Sequence, residues 1–229
     1  MPDKSKIWYL KNLNIFEGMS EMQMKRVESM TSMSKVDKNR PIYFPEQATG
    51  NIYFLKEGHV KLYRLHEDGR EVILDILGPG EIFGELTLCG EGGGQDYASA
   101  LDEALICTVK KPDFEAMLLN SPEMNLRLTR WFGLRLRKFE EKVNDLAFKD
   151  VTQRIIGFLV RYAEEFGKIK SGTVTVPAFL SHQDIAFLTA SSRQTVTTTL
   201  NDLREKGIIG FDRKHLMIQD MERLKTLAR

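Results

Sequence analysis

Apolar side chains recur along this chain with two different periods, and the switches between them divide it. Across Trp8–Met33 they fall at helical spacings with a break at Gly18, which predicts helix. From Ile42 to Val109 the period drops to two. Val60, Leu62 and Arg64 alternate with Lys61, Tyr63 and Leu65, the turn Glu67-Asp68-Gly69-Arg70 follows, and Val72, Leu74 and Ile76 resume the alternation. Gly78-Pro79-Gly80 marks the next turn. Short strands at this regular spacing predict an antiparallel barrel or roll.

From Pro112 the helical period returns. Ser121 is a good N-cap with Pro122 behind it at a first-turn position, and the helix they open can run to about Phe148. Leu128, Phe132, Leu136, Phe139, Val143 and Leu146 form a heptad-like stripe along it, while Trp131 and Leu134 offer a second apolar surface. Two apolar faces on one helix predict packing inward and against a second copy, hence a parallel homodimer. Phe148-Lys149-Asp150 reads as a hinge, and Asp150 can cap a helix through about Phe166. Gly167, Gly172 and Pro177 then frame a short strand, Thr173–Val176. The expected domains are residues 1–120, a dimerisation helix and hinge over 121–149, and 150–229.

The last of these carries the most specific chemistry. Ser181 with Asp184 three residues on resembles a capping box opening a helix of about two turns. Ser192 is the next N-cap, and Val196, Leu200 and Leu203 give the second helix a buried face. Two short helices across a tight turn make a helix-turn-helix. Arg193, Gln194, Thr197, Thr198 and Asn201 fall on the other face, and four of the five residues Thr195–Thr199 are threonines. Such a β-branched run suits a free-standing exposed helix poorly but suits a duplex well. Hydroxyls reach phosphates or base edges, Arg193 can bridge guanine O6 and N7, and Gln194 can pair with adenine N6 and N7. Ser181, His182, Gln183, Ser192, Thr195, Thr197 and Lys214 are the further candidates for DNA contact, most of them to phosphates. Ile208–Phe211 and Leu216–Ile218 flank the basic turn Asp212-Arg213-Lys214-His215, a two-stranded wing, and Asp220 caps a last helix ending near Leu227.

Charge sharpens this division. The 229 residues carry 33 Lys and Arg against 32 Asp and Glu, a formal net charge of +1. Residues 1–150 hold 21 basic and 24 acidic side chains, and residues 151–229 hold 12 and 8. The excess of positive charge therefore lies in the part that carries the helix-turn-helix. No stretch approaches the ~20 apolar residues of a membrane span. The opening MPDKSKIWYLK lacks a signal-peptide core, so a cytoplasmic protein without membrane contact is the expectation. Two cysteines, Cys89 and Cys107, are too few for a disulfide framework or a four-cysteine cluster. Cys89 beside the glycine run is either an oxidisable thiol or an idle one. His59 and His66 read as exposed residues near turns rather than haem ligands. No phosphate loop with lysine, metal-ligand cluster or nucleophile elbow occurs, so an enzyme is not expected.

Three motifs in order carry a resemblance over nearly the whole chain. They are Gly78-Pro79-Gly80-Glu81-Ile82-Phe83-Gly84-Glu85-Leu86, the run Glu141-Lys142-Val143-Asn144-Asp145-Leu146-Ala147-Phe148-Lys149-Asp150-Val151-Thr152-Gln153-Arg154-Ile155, and Ser192-Arg193-Gln194-Thr195-Val196. The chain resembles the catabolite activator and fumarate-nitrate reductase regulator (CRP/FNR) family of bacterial transcription factors. The resemblance implies an α+β protein: an N-terminal cyclic-nucleotide-binding-type antiparallel β-roll, a long dimerisation helix and a C-terminal winged helix-turn-helix. It further implies double-stranded DNA and RNA polymerase as partners, and a two-fold operator with half-sites about one helical turn apart.

The effector site implied by the resemblance is Gly84, Glu85, Leu86, Gln95, Tyr97 and Phe139. In members that respond to cyclic AMP, a pair like Gly84-Glu85 supports the ribose, an Arg-Ser pair follows for the cyclic phosphate, and a Thr-Ser pair on the dimer helix reads adenine. Here the loop reads Gly92-Gly93-Gly94-Gln95-Asp96-Tyr97-Ala98-Ser99, no arginine occurs between Arg70 and Arg127, and Phe139-Glu140 replaces Thr-Ser. A buried phosphate without a cation costs several kcal/mol, so cyclic AMP is disfavoured and the effector is open. Gln194, Thr198 and Ala190 depart from the family's frequent glutamate, arginine and turn glycine, so its familiar operator does not carry over. No cofactor is predicted. The rival reading is a small-ligand-binding regulatory module without DNA activity.

Overall fold

The computed structural model describes residues 14–45, 50–69, 71–89, 96–170, 172–177, 180–212 and 215–228. Its contacts divide the chain into two compact units, residues 1–65 with 74–136, and residues 66–73 with 137–229.

In the first unit a 3-10 turn at Asn14–Phe16 precedes helix α1 (Glu21–Met30). Ser20 caps α1 by accepting from the Gln23 amide while Gln23 Oε1 accepts from the Ser20 amide. The expected helical run to Met33 stops short, because Thr31 begins strand β1 (Thr31–Val36). Then come β2 (Pro41–Tyr43), β3 (Asn51–Glu57), β4 (Val60–Leu65), β5 (Glu71–Leu77), β6 (Ile82–Phe83), a 3-10 turn (Glu85–Cys89), β7 (Tyr97–Ala100) and β8 (Ala104–Lys110). Helices α2 (Lys111–Leu119) and α3 (Pro122–Phe148) follow, with residues 137–148 of α3 and 71–73 of β5 counted in the second unit. The strands form two four-stranded sheets, ordered β1-β8-β3-β6 and β2-β7-β4-β5.

The first sheet is covered on both faces. From β3, Ile52 and Phe54 join Cys107, Val109, Phe16, Met24, Phe114 and Met124 in one core, whereas Tyr53 and Leu55 join Val60, Leu62, Phe83, Ala98 and Ile106 in another. Burial from both sides explains why β3 and β8 read as continuous apolar runs rather than alternating ones. In β5 Ile73, Ile76 and Leu77 are buried and Leu74 packs against the second core, so of the face expected from Val72, Leu74 and Ile76 only Val72, which is exposed, departs. His59 is another correction, since it is buried rather than exposed. Its Nδ1 lies 2.8 Å from Asp102 Oδ2, and its amide donates to Asp102 Oδ1 at 2.6 Å. His66 is exposed as expected.

Ser121 caps α3 through a hydrogen bond from the Met124 amide. The stripe expected to pair two copies divides along this helix. Leu128 is buried in the first core and Phe132 packs against it with Trp131, so the roll itself takes these residues. Leu136, Phe139, Val143 and Leu146 stay exposed, at 59%, 63%, 48% and 52%.

In the second unit Asp150 caps α4 (Val151–Phe166) in a capping box with Gln153. Strands β9 (Lys168–Lys170) and β10 (Thr173–Pro177) follow, then helices α5 (His182–Leu188) and α6 (Arg193–Glu205). Strands β11 (Ile209–Phe211) and β12 (His215–Ile218) and helix α7 (Met221–Leu227) end the fold. The strands make one antiparallel sheet in the order β11-β12-β10-β9, packed with a core that includes Ile155, Leu159, Val196, Leu200 and Leu224.

The β3–β4 connection depends on one glycine. Gly58 sits at φ +81°, and a Cβ there would lie 2.4 Å from the Glu103 carbonyl oxygen. Gly58→Ala should lower stability by about 2–4 kcal/mol in urea unfolding, and an unchanged midpoint would contradict this close approach.

Candidate nucleic-acid interface and effector site

Caps set the geometry of the helix-turn-helix. Ser181 Oγ accepts from the Asp184 amide at 3.1 Å and donates to Asp184 Oδ2 at 2.5 Å. Ser192 Oγ accepts from the Thr195 amide at 3.0 Å and shares a hydrogen bond with Thr195 Oγ1. Ile185, Ala186, Val196, Leu200 and Leu203 are buried between the helices, and Ala186 is small where they cross. The turn passes through Ala190 at φ +48°, a left-handed conformation that costs a residue with a Cβ about 1–2 kcal/mol.

Arg154 on α4 holds that turn. Its Nε donates to the Thr189 carbonyl at 2.9 Å, Nη2 to Ala190 at 3.0 Å and Nη1 to Lys149 at 3.0 Å. One planar guanidinium thus satisfies two turn carbonyls and one at the α3–α4 junction. Nearby, Asp145 takes Lys149 Nζ at 2.8 Å and Arg161 Nη1 at 2.7 Å. Burial opposes its ionisation, but the hydrogen bonds and charges of Lys149 and Arg161 hold its carboxyl below the usual range.

This geometry sorts the candidate DNA contacts. Ser181, Gln183, Ser192, Arg193, Gln194 and Thr198 are exposed, His182, Thr195 and Thr197 are half-buried, and Thr199 is buried. The hydroxyls of Ser181, Ser192, Thr195 and Thr197 are engaged locally, that of Thr197 donating to the Arg193 carbonyl at 2.9 Å. The hydrogen bonds of the caps do not engage the side chains of the exposed Gln183, Arg193, Gln194 and Thr198. Lys214 lies outside the described residues. Beside it, Asp212 Oδ1 accepts from the His215 amide at 2.7 Å and closes the wing. Phe211 of the wing carries the Arg204 guanidinium at 5.0 Å and the His182 ring at 6.0 Å, which ties the wing to both helices. Sequence reasoning missed Arg154 and Phe211, since each acts across a distance no local motif spans.

The roll holds the other candidate site. Gly84 has φ +77°, and a Cβ there would meet the Asn51 carbonyl oxygen and the Tyr53 ring at 2.8 Å. It delivers Glu85, which is 5% exposed and pairs with Arg135 Nη1 at 3.0 Å. Burial pushes the Glu85 carboxyl up, and Arg135 pulls it back. Arg135 also donates to the Ile82 carbonyl and lies 5.0 Å over the Trp131 ring. Tyr97 stacks on Tyr63 at 5.2 Å, and Leu86 is half-buried. A cation does reach the start of β7, but from a neighbouring strand: Arg64 Nε pairs with buried Asp96 at 2.5 Å. Gln95, the glycine run and the Cys89 side chain lie outside the described residues.

Comparison with known proteins matches two segments of the chain to family models. Residues 33–121 match the cyclic nucleotide-binding domain, and residues 153–227 the Crp-like helix-turn-helix domain. The chain is 32% identical over 185 residues to the global nitrogen regulator of Nostoc sp., covering 80% of this chain and 82% of that one. It belongs to the CRP/FNR family of transcription regulators. Another relative in that family is the CRP-like cAMP-activated global transcriptional regulator of Mycobacterium tuberculosis, 29% identical over 96% of this chain and 98% of that one. A CRP-family transcriptional regulator from Thermus thermophilus superposes with a TM-score of 0.71 at 28% identity, covering 85% of this chain and 96% of that structure. The CRP/FNR relatives are regulators rather than enzymes, and this chain is a DNA-binding regulator of that type. No helix among the described residues is long and apolar enough to cross a membrane.

The strained turn is open to test. Ala190→Gly removes the Cβ at φ +48° and should raise stability by about 0.5–1 kcal/mol in denaturant unfolding. A loss of stability would show that the Arg154 clamp already absorbs the strain.

Proposed function

We propose that this regulator binds DNA sequence-specifically as a homodimer, and that its roll does not answer to cyclic AMP. Exposed Arg193 and Gln194 at the start of a rigidly capped α6 carry the DNA reading: both are suited to bidentate contacts with base edges in the major groove. Thr198 extends the base-reading set, and Gln183 with Lys214 holds phosphates. Residues 1–120 act as the sensor, 121–149 as the dimer helix and hinge, and 150–229 as the DNA-binding domain. RNA polymerase is the further partner, in the cytoplasm.

Homodimerisation is supported by the exposed row Leu136, Phe139, Val143 and Leu146, an apolar stripe of heptad spacing left uncovered within one chain. The reading against cyclic AMP is supported by charge. Glu85 and Asp96 are acidic groups at the site, and the arginines beside them, Arg135 and Arg64, are each already paired to one of them. A cyclic phosphate would have to displace Asp96 from Arg64 and leave a buried carboxylate unpaired, which costs more than it returns. A different small molecule, compatible with a buried carboxylate and aromatic walls, suits the roll better.

Arg193→Ala should weaken operator binding by about 1–3 kcal/mol in a titration and relax preference at one base of each half-site. Unchanged affinity would remove Arg193 from the interface. Phe139→Glu should shift the protein from dimer to monomer in sedimentation equilibrium, and a wild-type-like mass would contradict the α3 interface.

A further inference from the structure

His182 has a hydrogen-bonding role that its neighbours fix. It opens α5, is half-buried, and sets its ring edge against Phe211. Its Nδ1 lies 2.8 Å from Thr197 Oγ1, and that same oxygen donates to the Arg193 carbonyl at 2.9 Å. A hydroxyl has a single hydrogen, here directed at a carbonyl that can only accept. Both bonds are therefore made together only when Nδ1 carries the ring proton. In the neutral imidazole Nε2 is then a bare acceptor, which repels a phosphate oxygen. Protonation turns Nε2 into a charged donor and leaves the bond to Thr197 intact, so the switch breaks nothing inside the helix-turn-helix.

We propose that His182 makes operator binding proton-dependent: its imidazolium is the form that holds a DNA phosphate, and complex formation takes up a proton there. This rests on the DNA-binding reading above. Among the described residues, the charged groups on the elements around the ring are Arg193, Asp202, Arg204 and Glu205 of α6, the Asp212–His215 pair at the wing, and Asp184 on its own helix, which is engaged with Ser181. In the free protein, burial and then the positive charge of Arg193 hold the His182 pKa below its ordinary value. A phosphate beside Nε2 acts in the opposite sense and raises it. A group whose pKa is higher in the complex than in the free protein favours the complex at low pH. The gain appears as pH falls through the complexed value and levels off below the free one.

The test is a titration of the full-length protein with a duplex of about 30 base pairs enriched by in vitro selection, repeated from about pH 8 down to about pH 5.5. Wild-type affinity should rise about tenfold or more over that range. His182→Gln, which cannot take the proton, should lose most of the rise, His182→Arg should bind tightly with a flat profile, and His215→Gln should keep the wild-type slope. Equal slopes for wild type and His182→Gln would overturn the inference while leaving DNA binding in place. Failure of the selection to enrich any duplex would overturn the DNA-binding reading and this inference with it.

Discussion

Carbonyl groups at a tight turn between two helices have no intrahelical partner, and a buried or half-buried turn must find them one. In this regulator one guanidinium does so. Arg154 gathers the carbonyls of Thr189 and Ala190 from the turn, and that of Lys149 from the junction where α3 passes into α4. The planar fork accepts this only if the three oxygens converge, so it fixes where the turn lies relative to α4. Ala190 is held in a left-handed conformation, Ser192 is delivered to its capping position, and α6 begins where Arg193 and Gln194 face outward. Apolar contacts of Ile185, Val196 and Leu200 supply the stability of the helix pair, and the guanidinium supplies its registration.

The roll applies the same economy of charge to a different end. Gly84 brings the Asn51 carbonyl and the Tyr53 ring too close for any side chain, and so presents Glu85 in a buried setting. An isolated carboxylate there would be costly, and Arg135 offsets it while lying over Trp131. Arg64 does the same for Asp96. The paired carboxylates are what supports the proposal that the roll of this chain does not take a cyclic phosphate.

Local chemistry was legible in the sequence. The caps at Ser121, Asp150, Ser181, Ser192 and Asp220 span three residues each, and all five hold. Features that depend on what lies across a sheet were not. The strands β3 and β8 carry apolar side chains on both faces, so alternation could not reveal their orientation, and β5 also buries Ile73 and Leu77 outside its apparent pattern. His59 looked like a loop histidine because its partner, Asp102, is 43 positions away. The loop sequence does not reveal Arg64 as the cation beside Asp96, because it arrives from β4, whose pairing of Tyr63 with Tyr97 sets it there. Leu128 belongs to the same heptad series as Leu136 and Phe139, but only the packing of α3 on its own roll separates the buried part of that stripe from the exposed part.

The central claim is that two copies of this chain read DNA through α6 without a cyclic nucleotide. Selection of bound duplexes from a random pool, run in parallel with and without cyclic AMP, tests it most directly. The account predicts enrichment of one two-fold symmetric site in both pools, with half-sites about one helical turn apart and the same consensus in each. Enrichment only in the presence of cyclic AMP, or a site without two-fold symmetry, would contradict it.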